Sequence, residues 1–439
     1  MSEYNPIKLT STLKDTLARY IPTTLPINRR YPDLRQRFLD LVREQTLVIG
    51  PYVEALPDFE KGRSLRELIE GEGSYLHQGF LKLPDHLLDR PLHLHQEKAL
   101  TAACRNRESL IVATGTGSGK TETFLYPIAH TLLNETDKSS PGVRALIIYP
   151  MNALANDQLF YRIAPLFGLY LKDFGITFGR YTSHIRANVP RAEEERKVKD
   201  NPKLIQVLEG KVPTNWLLTR EEMLEIPPHV LITNYAMLEH LLLLPRNAPL
   251  FAYNTLRTIV LDEIHTYSGA QATEVAFLLR KLKNRLGLTQ ALQVFGTSAT
   301  LASGPEADTQ LVKFAEDLFG EPVHQVIRGT RVPHMRLEDE GKKTFGLTMR
   351  SWMAIGELLD HLSDYEEPNV ADWNSYIRER ELEEIIPRLE DSHSLPQALE
   401  DRFHVNLEIR KVAKVLHAGA ILHFQDLAKQ IFPEASQPE

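Results

Sequence analysis

The apolar and polar positions of the chain predict alternating strands and helices through its middle. Short, continuous apolar runs there have the composition of strands buried on both faces, and helical stretches separate most of them. The runs lie at residues 110–113, 144–149, 176–178, 230–233, 257–261 and 292–296. Alternation of this kind is typical of an α/β fold. The sequence therefore predicts a mainly parallel sheet flanked by helices.

The pattern changes on both sides of this region and once inside it. Residues 1–88 contain short amphipathic pieces separated by prolines, which indicates an accessory region. Residues 183–228 include a dense run of mixed charges and several prolines, so we expect a surface insertion there. After Leu301 the alternation stops, and residues 331–439 are expected to form an acidic helical region. The predicted sheet domain accordingly spans residues 89–330.

The accessory region carries no catalytic pattern. Some of its aromatic and basic residues could line a nucleic-acid path, but an ordinary packed face is the simpler interpretation. These residues are Tyr31, Arg35, Arg37 and Tyr52.

The first apolar run breaks into glycines and ends in a Gly-Lys-Thr triplet. Successive glycines let the backbone turn and bring its N–H groups against phosphate oxygens. The helix N-terminus and Lys120 add positive charge, and Thr121 can bind Mg²⁺. The loop residues expected to hold a nucleoside triphosphate are Thr116, Gly117, Ser118, Gly119, Lys120 and Thr121. The strict pattern has glycine where Thr114 stands. The alternative is a plain connecting loop, which would not need lysine and threonine together after the last glycine.

The run at residues 257–261 is followed directly by Asp262 and Glu263. Two adjacent acids after a buried strand lie at the edge where open α/β sheets bind ligands. Asp262 would hold Mg²⁺, usually through water, and Glu263 would orient and deprotonate an attacking water. The alternative is an Asp-Glu pair that caps the next helix, and the upstream phosphate loop argues against it.

Gln96 stands about two dozen residues before Lys120. From this position its amide can pair with both a donor and an acceptor on an adenine edge. The alternative is a polar residue at a helix N-terminus. Together with the phosphate loop, Gln96 indicates that the triphosphate is ATP.

Composition changes this picture little. A chain of 439 residues allows two or three domains, and its formal net charge of -7 argues against nucleic-acid affinity through overall charge. A local basic groove remains compatible with that charge. The single cysteine, Cys104, excludes an internal disulfide and a cysteine-cluster zinc site. The sequence shows neither a basic leader nor a long apolar stretch, so we expect a cytoplasmic protein without a membrane partner.

Taken together, these motifs resemble those of the superfamily 2 DExH-box helicases and translocases. Residues 114–121 resemble motif I, residues 262–265 motif II, residues 298–300 motif III, and residues 95–96 the adenine-reading motif. Residues 150–158 and 232–238 are similar to the motifs that contact the nucleic-acid strand. The resemblance covers roughly residues 50–325. It implies a RecA-like first motor domain with ATP and Mg²⁺ as its cofactors.

The resemblance also implies roles for individual residues. The catalytic residues would be Lys120, Asp262, Glu263 and His265. The residues facing the sugar-phosphate backbone would be Asn152, Arg180, Tyr181, Thr233 and Asn234, although a turn or capping role is the alternative for each of them. Ser298 and Thr300 would couple the two sides through His265. Segments 179–182, 234–238 and 265–267 look most like large bacterial helicases of DNA repair and phage defence, so we expect DNA rather than RNA.

Nothing after Thr300 resembles the second RecA-like domain, whose closing motif supplies arginine fingers. An arginine finger contributes about 10³–10⁵ in rate, so this polypeptide alone should bind ATP and hydrolyse it poorly. We expect the second domain to come from another subunit or from a longer protein. The leading hypothesis is the first motor domain of an ATP-dependent helicase or translocase. The alternatives are an ATP-responsive clamp on nucleic acid or protein without efficient turnover, and an unrelated P-loop ATPase that acts on proteins.

Overall fold

The computed structural model describes most of the chain. The described residues are 6–25, 27–28, 30–55, 58–115, 117–299, 304–332, 346–363, 370–380, 382, 406–416 and 421–432. Contacts divide the chain into two compact units: residues 59–332 form one, and residues 1–58 with 333–439 form the other.

The strands and helices are numbered along the chain. The strands are β1 (Tyr52–Val53), β2 (Asp58–Phe59), β3 (Lys61–Ser64), β4 (Pro91–His93), β5 (Leu110–Ala113), β6 (Ala145–Tyr149), β7 (Phe178–Arg180), β8 (Trp216–Leu217), β9 (Val230–Asn234), β10 (Thr258–Leu261), β11 (Gln293–Ser298), β12 (Gln325–Arg328), β13 (Arg331–Val332) and β14 (Leu422–His423). The helices are α1 (Pro6–Thr24), α2 (Pro32–Glu44), α3 (Leu65–Glu70), α4 (Asp85–Leu88), α5 (Leu94–Leu100), α6 (Glu122–Asn134), α7 (Asn152–Gln158), α8 (Arg191–Lys199), α9 (Pro202–Val207), α10 (Arg220–Glu225), α11 (Tyr235–Leu243), α12 (Gly269–Leu286), α13 (Pro305–Phe319), α14 (Met349–Ser363), α15 (Val370–Glu379), α16 (Leu407–Leu416) and α17 (Phe424–Ile431). π-helical segments at Thr101–Arg105 and Leu159–Tyr170 extend α5 and α7, and short 3-10 helices lie at Gln78–Lys82, Lys172–Phe174, Pro245–Phe251 and Ile264–Thr266.

The larger unit is built on one eight-stranded sheet with the order β12-β5-β11-β10-β6-β9-β7-β8. Every neighbouring pair in this sheet is parallel. Parallel strands need crossover connections, and the helices that make these connections cover the faces of the sheet. The fold class expected from the sequence, a RecA-like parallel sheet flanked by helices, is confirmed.

The central strands are buried on both faces, and alternate residues enter different hydrophobic clusters. In β5, Leu110 and Val112 pack into one cluster, which α6 also joins. Ile111 and Ala113 pack into the other cluster, together with side chains of α12 and α13. This alternation is the two-residue period of a strand. Because neither face is exposed, the strand appears in the sequence as a continuous apolar run.

Two strands of the sheet were not predicted from the sequence. β12 follows α13 and pairs with β5, so the expectation that the alternation stops after Leu301 was wrong. β8 lies in the segment expected to be a surface insertion, and it adds an edge strand beside β7. Its Trp216 ring stacks on Phe178 with 5.7 Å between centroids. β8 has only two residues, and β12 has a polar residue at each end, so pairing with neighbouring strands rather than a continuous apolar run defines them.

The larger unit begins at Phe59, earlier than the sheet domain predicted from residue 89. Leu65, Leu68 and Phe80 are fully buried and belong to the same cluster as β5. The domain boundaries at residues 88 and 330 stay a prediction.

The smaller unit contains α1, α2 and the carboxyl-terminal elements. β1 pairs antiparallel with β14, which sets Tyr52 opposite His423. Leu416, Leu427 and Ile431 form a small buried cluster in this unit. The described residues beyond 346 are mostly helical. No helix in the described part of the chain combines the length and the apolar composition that a membrane crossing requires.

A substitution of Gly296, on β11, would test how tightly the sheet packs before motif III. A Cβ at this position would lie 2.6 Å from Cδ1 of Ile111 and 3.2 Å from Cδ1 of Ile264. We expect Gly296→Ala to lower the free energy of unfolding by about 1–3 kcal/mol because the buried side chains must shift. Urea denaturation followed by circular dichroism measures this.

The matched control for Gly296→Ala is the double variant with Ile111→Val, which removes the clashing methyl group. The double variant should lose less free energy of unfolding than the sum of the losses in the two single variants. Simple additivity of the two changes would contradict the packing explanation.

Candidate active site at the carboxyl edge of the sheet

The candidate residues lie at one edge of the sheet because its strands are parallel. The phosphate loop follows β5, the acid pair follows β10, and Ser298 ends β11. These three strands are adjacent in the order β5-β11-β10. The neighbouring trio β6-β9-β7 leads into the segments with the nucleic-acid candidates. One sheet edge therefore carries both sets, side by side.

The phosphate loop has the backbone that its glycines predict. Gly117 and Gly119 have φ angles of +75° and +73°, which side chains other than glycine rarely adopt. A Cβ at Gly119 would collide with the Gln96 amide. Thr114, which departs from the glycine of the strict pattern, is buried and shares a hydrogen bond with the Ser118 hydroxyl. This departure is therefore accommodated inside the loop.

Two side chains of α5 bind backbone carbonyl oxygens of the loop. His95 Nε2 lies 2.8 Å from the Ser118 carbonyl oxygen, and Gln96 Nε2 donates to the Gly119 carbonyl oxygen at 3.0 Å. Burial lowers the pKa of His95 to about 4, so the ring is neutral and its proton lies on Nε2. Gln96 Oε1 accepts from the His93 N–H at 2.8 Å. The adenine-reading role of Gln96 stays a prediction, since both ends of its amide already have partners in the chain.

Lys120 and Thr121 both bind side chains at this edge. Lys120 Nζ lies 2.9 Å from Glu263 Oε1 and donates to the Ser298 carbonyl oxygen at 3.3 Å. The Thr121 hydroxyl donates to Gln158 Oε1 at 2.9 Å. The ammonium group therefore joins the phosphate loop to the acid pair and to motif III.

The acid pair is fixed by Thr297, the residue before Ser298. The Thr297 hydroxyl donates to Asp262 Oδ1 and accepts the Glu263 N–H, the latter at 2.9 Å. Burial raises the pKa of Asp262 to about 6, because desolvation disfavours its charged form. Glu263 has φ +50° and ψ +53°, the left-handed region that few residues other than glycine adopt. Such a backbone is retained where surrounding contacts enforce it, often at functional sites.

His265 connects the acid pair to the end of β11. Its Nδ1 accepts the Ala299 N–H at 3.2 Å, and the Ser298 hydroxyl lies 3.3 Å from the same nitrogen. Because Nδ1 is an acceptor here, Glu263 Oε2, also 3.3 Å away, receives no proton from it. Glu263 Oε2 is buried and has no hydrogen-bond partner among the described residues.

The oxygen atoms at this edge fit Mg²⁺. The available donors are the Asp262 carboxylate, the Thr121 hydroxyl and the unpaired Glu263 oxygen, which are the hard ligands that Mg²⁺ prefers. A neighbouring cation would also offset the cost of burying the Asp262 charge. The described residues contain no cluster of three or more His, Cys, Asp or Glu side chains that could hold a metal. Mg²⁺ usually keeps waters and binds substrate phosphates rather than a protein cage.

Two of the nucleic-acid candidates form a polar network at the ends of β6 and β9. Asn234 Nδ2 donates to Asn152 Oδ1 at 2.6 Å, and Asn152 Nδ2 donates to the Ser183 hydroxyl at 3.2 Å. Asn234 also accepts the Met237 N–H at 2.7 Å and so caps α11. Asn152 and Asn234 are half-buried, and the network positions both side chains.

The other three candidates have partners within the chain. Tyr181 and Thr233 are buried; the Thr233 hydroxyl donates to the Tyr181 carbonyl oxygen at 2.8 Å. Arg180 donates to Asn156, and burial lowers its pKa to about 10. These contacts are structural, so a direct contact of Arg180, Tyr181 or Thr233 with nucleic acid stays a prediction. Thr116 and Thr300 lie outside the described residues.

The sequence interpretation missed several residues that orient the site. Thr297 binds the acid pair, and Gln158 binds Thr121. Ser183 binds Asn152, and Asn156 binds Arg180. Thr297 directly precedes motif III, and Gln158 ends the segment similar to a strand-contacting motif. Their positions were therefore visible in the sequence, but their partners lie on other strands and loops.

Comparison with known proteins agrees with this geometry. The family model of the DEAD/DEAH box helicases matches residues 93–213 and 195–307. Druantia protein DruE of Escherichia coli is 32% identical over 73% of this chain and 22% of its own length. An uncharacterized ATP-dependent helicase of Methanocaldococcus jannaschii is 31% identical over 49% of this chain and 26% of its own length.

Among solved structures, the DUF1998 helicase MrfA bound to DNA and AMPPNP aligns with a TM-score of 0.44 and 20% identity. The alignment covers 80% of this chain and 43% of that chain. This chain spans about a quarter of the length of the curated relatives it matches. With the matching family model and the motif residues gathered at one sheet edge, the chain belongs to the DEAD/DEAH box helicase family.

Proposed function

We propose that this chain is the first motor domain of an ATP-dependent helicase or translocase. It binds ATP with Mg²⁺ at the ends of β5, β10 and β11, and nucleic acid at the ends of β6, β7 and β9. The observation that carries this proposal is the contact of Lys120 with Glu263, beside the buried Asp262. A lysine in a phosphate loop and two acids on a neighbouring strand are the parts that phosphoryl transfer to water requires.

The ion pair between Lys120 and Glu263 suggests how ATP activates the site. A triphosphate in the loop offers Lys120 phosphate oxygens in place of the Glu263 carboxylate. Glu263 is then released, with both oxygens able to orient a water and accept its proton. Mg²⁺ held at Asp262 and Thr121 would neutralise charge on the phosphates. His265 and Ser298 keep the acid pair in contact with the end of β11, which leads into motif III.

Efficient hydrolysis requires groups from a second RecA-like domain, in our proposal. The aligned shares make DruE roughly three times or more as long as this chain and the M. jannaschii helicase about twice as long, which leaves length for such a domain. The domain is supplied by a longer protein or by another subunit, and it brings arginine side chains to the γ-phosphate. We propose that the nucleic acid is DNA, because segments 179–182 and 265–267 resemble those of large bacterial helicases. Repair or phage defence stays a prediction on the same basis.

ATP hydrolysis tests the proposed function directly. Lys120→Ala should abolish ATP binding because it removes the cation on the phosphates, while Glu263→Gln should retain binding and lose turnover. We would measure nucleotide affinity by fluorescence and phosphate release with DNA and with RNA, in complex with the second domain. Lys98→Ala, on the exposed side of α5, is the control and should match the unaltered protein.

If no turnover depends on Glu263 when the second domain is present, the motor is excluded. ATP-dependent changes in nucleic-acid affinity without such turnover would instead support a clamp. Equal stimulation by RNA and DNA would contradict the proposed DNA preference.

Thr297 should act as a positioning residue for the acid pair. Thr297→Val keeps the shape but leaves the Glu263 N–H unpaired and removes the donor to Asp262. We expect kcat to fall about 10–100-fold, with a higher Mg²⁺ requirement and nearly unchanged ATP affinity. Magnesium titrations of the hydrolysis rate measure this. Thr297→Ser keeps the hydroxyl and should restore most of the activity, and a failure to do so would assign Thr297 a packing role only.

Asn152 should contribute to the nucleic-acid contact. Asn152→Ala removes an amide at the ends of β6 and β9 and should raise the DNA concentration for half-maximal stimulation about 2- to 10-fold, the range for one lost hydrogen bond. The ATP affinity should not change. Asn106→Ala is the matched control because Asn106 precedes β5, at the opposite edge of the sheet. Equal behaviour of the two variants would argue against a nucleic-acid path at the carboxyl edge.

A further inference from the structure

A groove of about 660 Å³ runs between α1 and α2 in the smaller unit. Lys14 and Arg19 of α1 and Arg35 and Arg43 of α2 line it, and Asp15 is the one acid among the lining residues that the structure describes. The described lining residues therefore carry four positive charges and one negative charge. The whole chain has a formal net charge of -7, so the charge of this groove is opposite in sign to the net charge of the chain.

Most of these cations are available to a ligand. Among the described residues, Lys14, Arg19 and Arg35 have no carboxylate oxygen within 4.0 Å, and all three side chains are exposed. Arg43 has only a long, exposed contact of 4.0 Å with Asp40. By contrast, Lys197 and Lys199 of α8 each contact glutamates of their own helix. The groove cations thus lack the neutralising partners that a solvated charged helix provides for itself.

The charges form rows along both walls of the groove. Lys14 and Arg19 are five residues apart, about 7.5 Å along α1, and Arg35 and Arg43 are eight apart, about 12 Å along α2. Rows of separated cations match a chain of phosphates better than a single compact anion. Ala18 and Leu39 also line the groove and give it apolar surface between the charges.

Two exposed tyrosines are close in the chain to the groove cations. Tyr20 follows Arg19, and Tyr31 precedes Arg35 by one turn, with its carbonyl oxygen bound to the Arg35 N–H. Both rings are 61% exposed. Bases of a single strand stack on exposed aromatic side chains next to a basic groove, without sequence preference. The simpler sequence interpretation, a packed face that includes Tyr31 and Arg35, was wrong for these two side chains in the described structure, which exposes both.

We propose that the groove between α1 and α2 binds a single nucleic-acid strand through its phosphates. This inference rests on the proposed function, because it gives the motor a second contact with its nucleic acid in addition to the carboxyl edge of the sheet. The groove holds no residue that binds ATP or the attacking water. Its loss should therefore weaken nucleic-acid binding and leave ATP hydrolysis without nucleic acid unchanged.

The test is the salt dependence of strand binding by the full chain in the absence of nucleotide. Fluorescence anisotropy would follow labelled oligothymidine and oligouridine strands of about 20 nucleotides, longer than one binding site. The groove variant is Lys14→Gln, Arg19→Gln, Arg35→Gln, in which glutamine keeps helix propensity. Each lost phosphate contact should lower the slope of log affinity against log salt by about 0.7, hence about 2 for the three. The affinity itself should fall about tenfold or more near 0.1 M salt.

Two further variants separate the groove from net charge and from folding. Arg196→Gln, Lys197→Gln, Lys199→Gln on α8 makes the same change in net charge and should keep the slope of the unaltered protein. Lys14→Arg, Arg19→Lys, Arg35→Lys keeps the charges of the groove and should keep most of the affinity. Thermal melting and basal ATP hydrolysis check that each variant is folded.

The possible outcomes are distinguishable. If the groove variant and the α8 variant bind strands equally, the groove proposal is overturned while the motor proposal stands. If the unaltered protein binds neither strand, both proposals fail. If poly-glutamate binds as tightly as the strands, and the groove variant loses it, the groove belongs to an acidic protein segment and the proposal is also overturned. A preference between the two oligonucleotides decides whether the strand is DNA or RNA.

Discussion

The parallel direction of the strands is the constraint on which this site depends. In a parallel sheet every strand ends at the same edge, so residues far apart in the chain meet there without any special loop. Lys120 and Glu263 are 143 positions apart, yet their side chains form an ion pair because β5 and β10 both flank β11. β11 itself adds Thr297 and Ser298 between them. The order of three strands thus assembles the candidate catalytic centre.

The same order links this centre to the neighbouring half of the edge. β10 pairs with β6 on its other side, so the acid pair and Asn152 follow adjacent strands. Gln158, at the end of α7, binds the Thr121 hydroxyl across this boundary. A movement of α7 on nucleic-acid binding would therefore reach the phosphate loop through one hydrogen bond. A motor requires such a connection, because ATP and nucleic acid must each bias the same structural element.

Charge is arranged locally rather than globally in this chain. At the sheet edge, burial raises the pKa of Asp262, and the Lys120 ammonium is bound to Glu263. In the smaller unit, four cations of α1 and α2 line a groove that has one acid among its described lining residues. Both features exist within a chain whose formal net charge is negative. Net charge therefore says little about phosphate binding here, since distances of a few ångströms decide the interaction energy.

The sequence by itself determined the parallel α/β sheet and which glycine and polar residues follow its strands, because both features lie in contiguous residues. Two-face burial makes the run 110–113 continuously apolar, and glycines with φ above zero permit the loop that follows. β8 and β12 were not predicted because β8 has only two residues and β12 has a polar residue at each end, so pairing with neighbouring strands defines them rather than an apolar run. Tertiary structure alone decided that Thr297 orients Asp262, that Tyr181 and Thr233 are buried, and that Arg35 is exposed. Those contacts depend on strand order and helix packing, which join positions that no local pattern connects.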